Sequence, residues 1–403
     1  MLISGQHIVA VGKWDELRHA GEAIDLGESI LLPGLVNAHC HLDYTDMAGL
    51  LPPQKLFTNW ITLMLSTKAE WNYTEFAESW LHGAQMLLRT GTTTVGDFEA
   101  VPELLPDVWS STPLRVISFM EMTGVRSKRT PQLLLQETLD RVESLRDERS
   151  RAGLAPHAPY STLPELIRLT SESARERHLP VSIHVSESAL EFDMFMKAQG
   201  EMFDWLRRNG RDLSDCGLGS PVQHLERLGA LDENLLAVHL NYLAEGDADL
   251  LARRKVNVVH CPRSHSYFQH AHFPFDQLTA AGVNVCLGTD SLATVYKSRK
   301  DTIELSMFAE MFDFASRHPH IPPQQVLELA TVNSARALGM AGQIGELTEG
   351  AFADAIVIPF GGELDKVHEA VVQHCGHVAG SMIHGQWCLM PEGAIAPEPS
   401  SQR

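Results

Sequence analysis

The sequence predicts an α/β fold, a (β/α)8 barrel with a small β-sandwich beside it, and three observations lead there. Eight short apolar runs, with Val and Ile at their centres, recur between residues 31 and 290. Longer segments of helical period separate them, and the two flanks of the chain read as strand and turn. Apolar runs without polar alternation suit parallel strands covered on both faces. Eight such βα units close most economically into a barrel. A doubly wound open sheet is the competing arrangement, but no Gly-rich phosphate loop follows the first strand.

In order, the strand candidates are LLPGLVNAH (31–39), TTTVGDFE (92–99), PLRVISFME (113–121), AGLAPHAP (152–159), PVSIHVSE (180–187), LLAVHLN (235–241), VNVVHCP (256–262) and VNVCLGTD (283–290). A representative helix is FAESWLHGAQMLLRTG (76–91), whose apolar residues recur every three to four positions until Gly91 stops it. The flanks MLISGQHIVAVGKWDEL, GQIGELTEGAFADAIVIPF and HVAGSMIHGQWCLM are expected to pair across the chain. This gives a composite sandwich from 1–32 and 341–392, a barrel over 33–340, and a Pro/Ser-rich disordered tail over 393–403. The opening residues stand almost inside a strand, which leaves room for one or two further edge strands ahead of them.

At 403 residues the chain accommodates one large barrel and a satellite. A formal net charge of −19 opposes nucleic-acid binding, which needs a basic surface. No signal peptide opens the chain, no apolar run of ~18 residues is present to span a bilayer, and the six cysteines are scattered without a CxxC pair. A cytoplasmic protein acting on a small molecule is expected.

Polar residues gather at the C-terminal ends of the candidate strands, where barrels place their chemistry. His39 and His41, one residue apart at the end of the first run, share a face. His157 ends the fourth run, His184 lies on the fifth with Glu187 three residues on, His239 lies on the sixth, His260 ends the seventh, and Asp290 closes the eighth. A lone histidine on a strand is ordinarily a core or rim residue; the recurrence at corresponding ends points to one shared cavity. His39, His41, His184 and Asp290 make three imidazoles and a carboxylate. That set suits one borderline divalent cation, zinc first and iron as the alternative. A second metal would call for a bridging carboxylated lysine at the end of the fourth strand, and that segment has none.

The segments LLPGLVNAHCHL, LRTGTTTVGD, APHAPYS, HVSE, HCPRSH, LGTDS and GQIGELTEGAFADAIVI, in this order along nearly the whole chain, resemble the amidohydrolase superfamily. The similarity is to its metal-dependent deaminase and chlorohydrolase branch, which includes S-adenosylhomocysteine, guanine and aminodeoxyfutalosine deaminases and triazine hydrolases. The resemblance implies hydrolytic deamination of an amino-substituted N-heterocycle by metal-activated hydroxide, with homo-oligomers common among relatives. It implies that Asp290 ligates the metal and shuttles the proton, that Glu187 protonates a ring nitrogen, that His239 hydrogen-bonds the hydroxide and that His157 contacts substrate. Glu70 corresponds loosely to a ribose-binding acid of nucleoside-type relatives. The chain departs from the branch after the seventh strand, where HCPRSHSYF puts His265 in place of a usual Asn. Arg263 there is a candidate for holding a substrate anion. Displacement of halide or alkylamine from a triazine-like ring is the alternative chemistry. A two-metal cyclic-amide hydrolase is disfavoured by the missing lysine, and an inactive scaffold by the complete ligand set.

Overall fold

The computed structural model describes residues 1–125, 127–298 and 300–392, so the tail expected after residue 392 lies outside the described residues. The N-terminal flank supplies β1 (Leu2–Ser4), β2 (His7–Ala10) and β3 (Ser29–Pro33). Eight strands follow: β4 (Leu35–Cys40), β5 (Thr92–Glu99), β6 (Arg115–Met122), β7 (Arg151–Pro156), β8 (Val181–Val185), β9 (Leu235–His239), β10 (Asn257–His260) and β11 (Asn284–Leu287). The C-terminal flank adds β12 (Ala355–Pro359), β13 (Gly380–Ile383) and β14 (Gln386–Leu389).

Strands β4 to β11 neighbour one another in sequence order, all parallel. The sheet curls until its ends meet: Cys40 bridges Asp290 in the parallel sense, and the Asp290 amide donates to the His39 carbonyl at 3.1 Å. The expected barrel is therefore present, closed by a seam instead of a full ladder. All eight apolar runs became its strands, with one refinement. The run 31–39 holds two strands, because the chain turns at Gly34, whose amide donates to the Asp354 carbonyl at 3.0 Å. The residues before the turn pair antiparallel with β12, from Ser29 opposite Pro359 to Pro33 opposite Ala355. Strands β13 and β14 extend that sheet. The β1–β2 hairpin is a separate two-stranded sheet, tied to the segment ahead of β12 by an isolated antiparallel bridge between His7 and Phe352.

Strand period places the side chains. In β8, Val181, Ile183 and Val185 pack outward with Leu166, Ile167, Val222 and Leu225 of the surrounding helices, which leaves Ser182 and His184 on the inner face. In β9, Leu235 and Ala237 face outward, while Leu236 and Val238 join Phe98, Val259, Cys261 and Cys286 in the barrel centre. The helix expected over 76–91 spans Tyr73–Arg89. It starts one turn earlier because Asn72 caps it, accepting from the Thr74 and Glu75 amides while Glu75 accepts from the Asn72 amide at 2.7 Å. No described helix is long and apolar enough to cross a membrane.

Candidate active site

Four ligand candidates converge at the C-terminal mouth of the barrel. Nε2 of His41 and Nε2 of His184 are 3.4 Å apart, and Oδ1 of Asp290 lies 3.6 Å from Nε2 of His41 and 3.8 Å from Nε2 of His39. Nε2 of His39 is buried with no hydrogen-bond partner. Donors held ~2.0–2.1 Å from one tetrahedral ion stand roughly 3.4 Å from each other, so these separations fit a common cation. Two groups of three buried donors, His39/His41/His184 and Glu187/His239/Asp290, are the only such clusters among the described residues.

The surroundings prepare each donor. The His184 ring donates from Nδ1 to the His157 carbonyl at 2.8 Å, which fixes the tautomer and leaves the Nε2 lone pair facing the centre. Burial and neighbouring imidazoles hold His41 and His184 well below the ordinary imidazole range, so both are neutral and able to ligate. Burial alone would raise Asp290, but the histidines facing it hold its carboxyl well below the usual carboxylate range. Its other oxygen, Oδ2, accepts from the Ser264 hydroxyl at 2.6 Å and the Thr294 hydroxyl at 3.2 Å. Oδ1 is thereby left to the ligand cluster.

Glu187 behaves oppositely. It is buried, and desolvation together with the charges of Asp290 and Glu191 pushes its carboxyl well above the usual range. Its Oε1 stands 3.7 Å from Nε2 of His239. Strand parity would send His239 outward with Leu235 and Ala237; its φ of 76° breaks the parity and turns the ring into the cavity. Asp290 is also left-handed, at φ 54°. Backbone strain held at two functional candidates is characteristic of a preorganised site.

The cavity has a volume of about 240 Å³, and its lining includes His41, His184, Glu187, His239 and Asp290 of the ligand cluster together with Lys68, Glu121 and Thr123. Trp60, Ile61, Met64, Leu65 and Trp205 supply apolar lining, and His157, Tyr160 and Ser161 also face it. His157 thus faces the cavity, with its Nδ1 2.6 Å from the Ser161 hydroxyl oxygen.

Three sequence candidates lie elsewhere. The Arg263 guanidinium is engaged by the fully buried Glu310 (2.5 Å) and the Glu304 carbonyl (3.0 Å), away from the cavity lining. Glu70 is exposed at the end of helix Phe57–Glu70, whose cavity face carries residues 60, 61, 64, 65 and 68. Two residues beyond Lys68 is ~200° around a helix, so Glu70 points away. His260 turns outward and stacks on Phe273 at 3.8 Å between ring centroids.

Sequence reading passed over Lys68, Tyr44 and Glu121. The helical period of Trp60, Ile61, Met64 and Leu65 carries a signal for Lys68. Tyr44 stacks on His41 at 5.2 Å and accepts a hydrogen bond from the Lys68 ammonium. Glu121 ends the third candidate strand, PLRVISFME, so the strand-end rule carried a signal for it as well.

A model of the Amidohydrolase family matches residues 30–388. A 5-methylthioadenosine/S-adenosylhomocysteine deaminase of Syntrophobacter fumaroxidans is 32% identical over 379 residues, covering 89% of this chain and 79% of its own. Among solved structures, an adenosine deaminase from Xanthomonas campestris with bound zinc superposes with a TM-score of 0.78 at 25% identity, covering 92% of this chain and 83% of its own. Atrazine chlorohydrolase from Arthrobacter aurescens, complexed with zinc, shares the fold at a TM-score of 0.82 and 19% identity, covering 98% and 92%.

Proposed function

The chain belongs to the amidohydrolase family, and from that premise we propose that it is a mononuclear, zinc-dependent deaminase of adenosine-type nucleosides. The observation that carries the reaction type is Glu187: a buried carboxyl kept protonated beside three imidazoles and an ionised aspartate. The nucleoside class is supported by the relatives named as deaminases of methylthioadenosine, S-adenosylhomocysteine and 5'-deoxyadenosine. The apolar lining of Trp60, Met64 and Trp205 suits a flat ring with a hydrophobic substituent.

His39, His41, His184 and Asp290 would hold the ion, which when bound lowers the pKa of a coordinated water toward ~7. Glu187 donates its proton to the ring nitrogen next to the amino-bearing carbon, making that carbon electrophilic. His239, whose Nε2 stands 3.7 Å from Oε1 of Glu187, hydrogen-bonds the attacking water oxygen. Asp290 takes the water's proton and passes it to the departing amine. One water is consumed, the C–N bond breaks, a carbonyl remains on the ring and ammonia leaves.

Ammonia release is to be measured on a panel of adenosine, 5'-methylthioadenosine, guanine and a chlorotriazine, alongside elemental analysis of protein purified without added metal. The expected result is ammonia from a nucleoside and close to one metal equivalent per chain. Chloride release without ammonia would favour the triazine chemistry, and two tightly held ions bridged by a modified lysine would overturn the mononuclear assignment.

A further inference from the structure

Glu191 is a buried titratable group to which the reaction above gives no part. It lies in the first turn of the helix Ala189–Lys197, three residues beyond the Ser188 cap, and is fully buried. A carboxyl at that helix position ordinarily reaches back to the amide of the cap residue itself. Here it passes the cap. Its Oε1 accepts the Ser186 amide at 3.1 Å and its Oε2 the Glu187 amide at 2.9 Å. Ser186 is left-handed, at φ 50°, a conformation that costs a non-glycine residue free energy unless its surroundings hold it.

The carbonyls of the same turn are held from the end of β9. The Asn241 amide donates to the Ser186 carbonyl at 3.1 Å, and the Asn241 side chain donates from Nδ2 to the Glu187 carbonyl at 2.9 Å. Asn241 follows His239 and Leu240, which are both left-handed as well. The amide and the carbonyl of Ser186 and of Glu187 are therefore all engaged, and the bonds tie the turn that carries Glu187 to the turn that carries His239. Helix capping does not account for Glu191, since the Ser188 hydroxyl already caps that helix by accepting the Glu191 amide at 3.2 Å. Nor does burial favour a carboxyl there: desolvation raises Glu191 to about 8 against the pull of the two amides. A group that costs stability at this place is accounted for by the residue it holds.

Resting on the deaminase reading above, we propose that Glu191 is a positioning residue for the proton donor. Its two oxygens fix the left-handed turn through the Ser186 and Glu187 amides, so that the Glu187 carboxyl is presented to the cavity with Oε1 3.7 Å from Nε2 of His239. Glu191 itself lies outside the cavity lining and acts only through Glu187.

The test uses the metal-loaded full-length protein with adenosine and 5'-methylthioadenosine as probes, and places Glu191→Ala and Glu191→Gln in the wild-type and Glu187→Gln backgrounds. Glu191→Ala is expected to lower kcat by roughly 10- to 100-fold, the cost of misplacing a reacting group by about 1 Å, with KM and metal content unchanged. Glu191→Gln keeps one acceptor for the two amides and should lose less. In the Glu187→Gln background neither substitution should slow the reaction further, because the group being positioned is already gone. A normal kcat in Glu191→Ala would overturn the proposal, and so would an equal loss in both backgrounds, which marks a packing role alone. If Glu191→Ala does not fold, the isosteric Glu191→Gln carries the same comparison. If the wild type releases ammonia from neither probe, the deaminase reading fails, and the clamp is judged separately by amide hydrogen exchange. Exchange at Ser186 and Glu187 faster in the variant by roughly 10-fold, the worth of one hydrogen bond, with Ile183 and Val185 of β8 unchanged, supports the clamp. Exchange that is unchanged, or accelerated equally at each of these amides, overturns it.

Discussion

Glu187 and Asp290 are both carboxylates at barrel-strand ends, and their surroundings pull them in opposite directions. Glu187 is held protonated by burial and by two neighbouring acids; Asp290 is held ionised by the imidazoles that face it. Their variants should fail differently. Glu187→Gln keeps the shape and removes the proton, so metal content should be retained while turnover falls by roughly 10²–10⁴-fold. Asp290→Asn should lose both metal and turnover. Metal content and rate measured on the same preparations check this, and a Glu187→Gln protein without metal would make Glu187 a ligand. Arg263 calls for a different expectation. Its partner Glu310 is fully buried and pushed up to about 7, because desolvation outweighs the attraction of the guanidinium. Removing the arginine leaves that carboxyl without its charge partner. Arg263→Leu should therefore destabilise the fold by about 3 kcal/mol, read as a lowered denaturation midpoint, with KM of the remaining folded protein little changed. A variant of normal stability with a raised KM would return Arg263 to the substrate.

At the level of elements, what was legible in the sequence was whatever a short period encodes. Apolar runs found all eight barrel strands, and the one-residue separation of His39 and His41 placed both beside Asp290. The misplacements share a physical origin: each depended on which way a side chain leaves its element. Glu70 and Lys68 belong to one helix but to opposite faces, and His260 ends a strand with its ring outward. His239 is the converse, brought inward only because its backbone leaves the strand conformation, which no local pattern announces. The barrel seam was likewise invisible, since it joins residues some 250 positions apart. There Gly288 passes so close to β4 that an added Cβ would meet the His39 carbonyl oxygen at 2.7 Å and its Cβ at 2.9 Å. Relief would require the two seam strands to part, moving His39 away from Asp290. Gly288→Ala is therefore expected to lose about 1–3 kcal/mol of stability, as overpacked cores do, and metal affinity with it. Thermal denaturation and metal content of the variant are the check, and unchanged values for both would show that the seam yields freely.

Taken as a whole, the molecule buries titratable groups of two kinds, and their opposite signs give its stability a defined pH course once metal is removed. Histidines such as His224, His265 and His318 are pushed down to about 4 by burial. They are neutral in the fold but take up protons in the unfolded chain below about 6.5. In that lower window the unfolded state binds more protons, so these groups make stability rise with pH until they are exhausted near 6.5. Buried carboxyls act in reverse. Glu310 is raised to about 7 and Glu191 to about 8, both by desolvation first, and Glu187 is raised as well. Each keeps its proton in the fold at pH values where the unfolded chain has released it. From 6.5 to 8 the native state therefore binds more protons, and stability must fall as pH rises, by roughly 1 kcal/mol per pH unit for each proton retained. Glu191 is suited to isolating one share of this slope. It accepts the Ser186 and Glu187 amides at 3.1 and 2.9 Å from within the core, and Gln keeps its shape and an acceptor while removing the titration. Chelator-treated wild type should show a lower denaturant midpoint at pH 8 than at pH 6.5, and Glu191→Gln a shallower decline over the same interval. A wild-type midpoint that is flat or rises across this window would mean that the buried carboxyls are already ionised in the fold. The assignment of Glu187 as the proton donor would then fall with it.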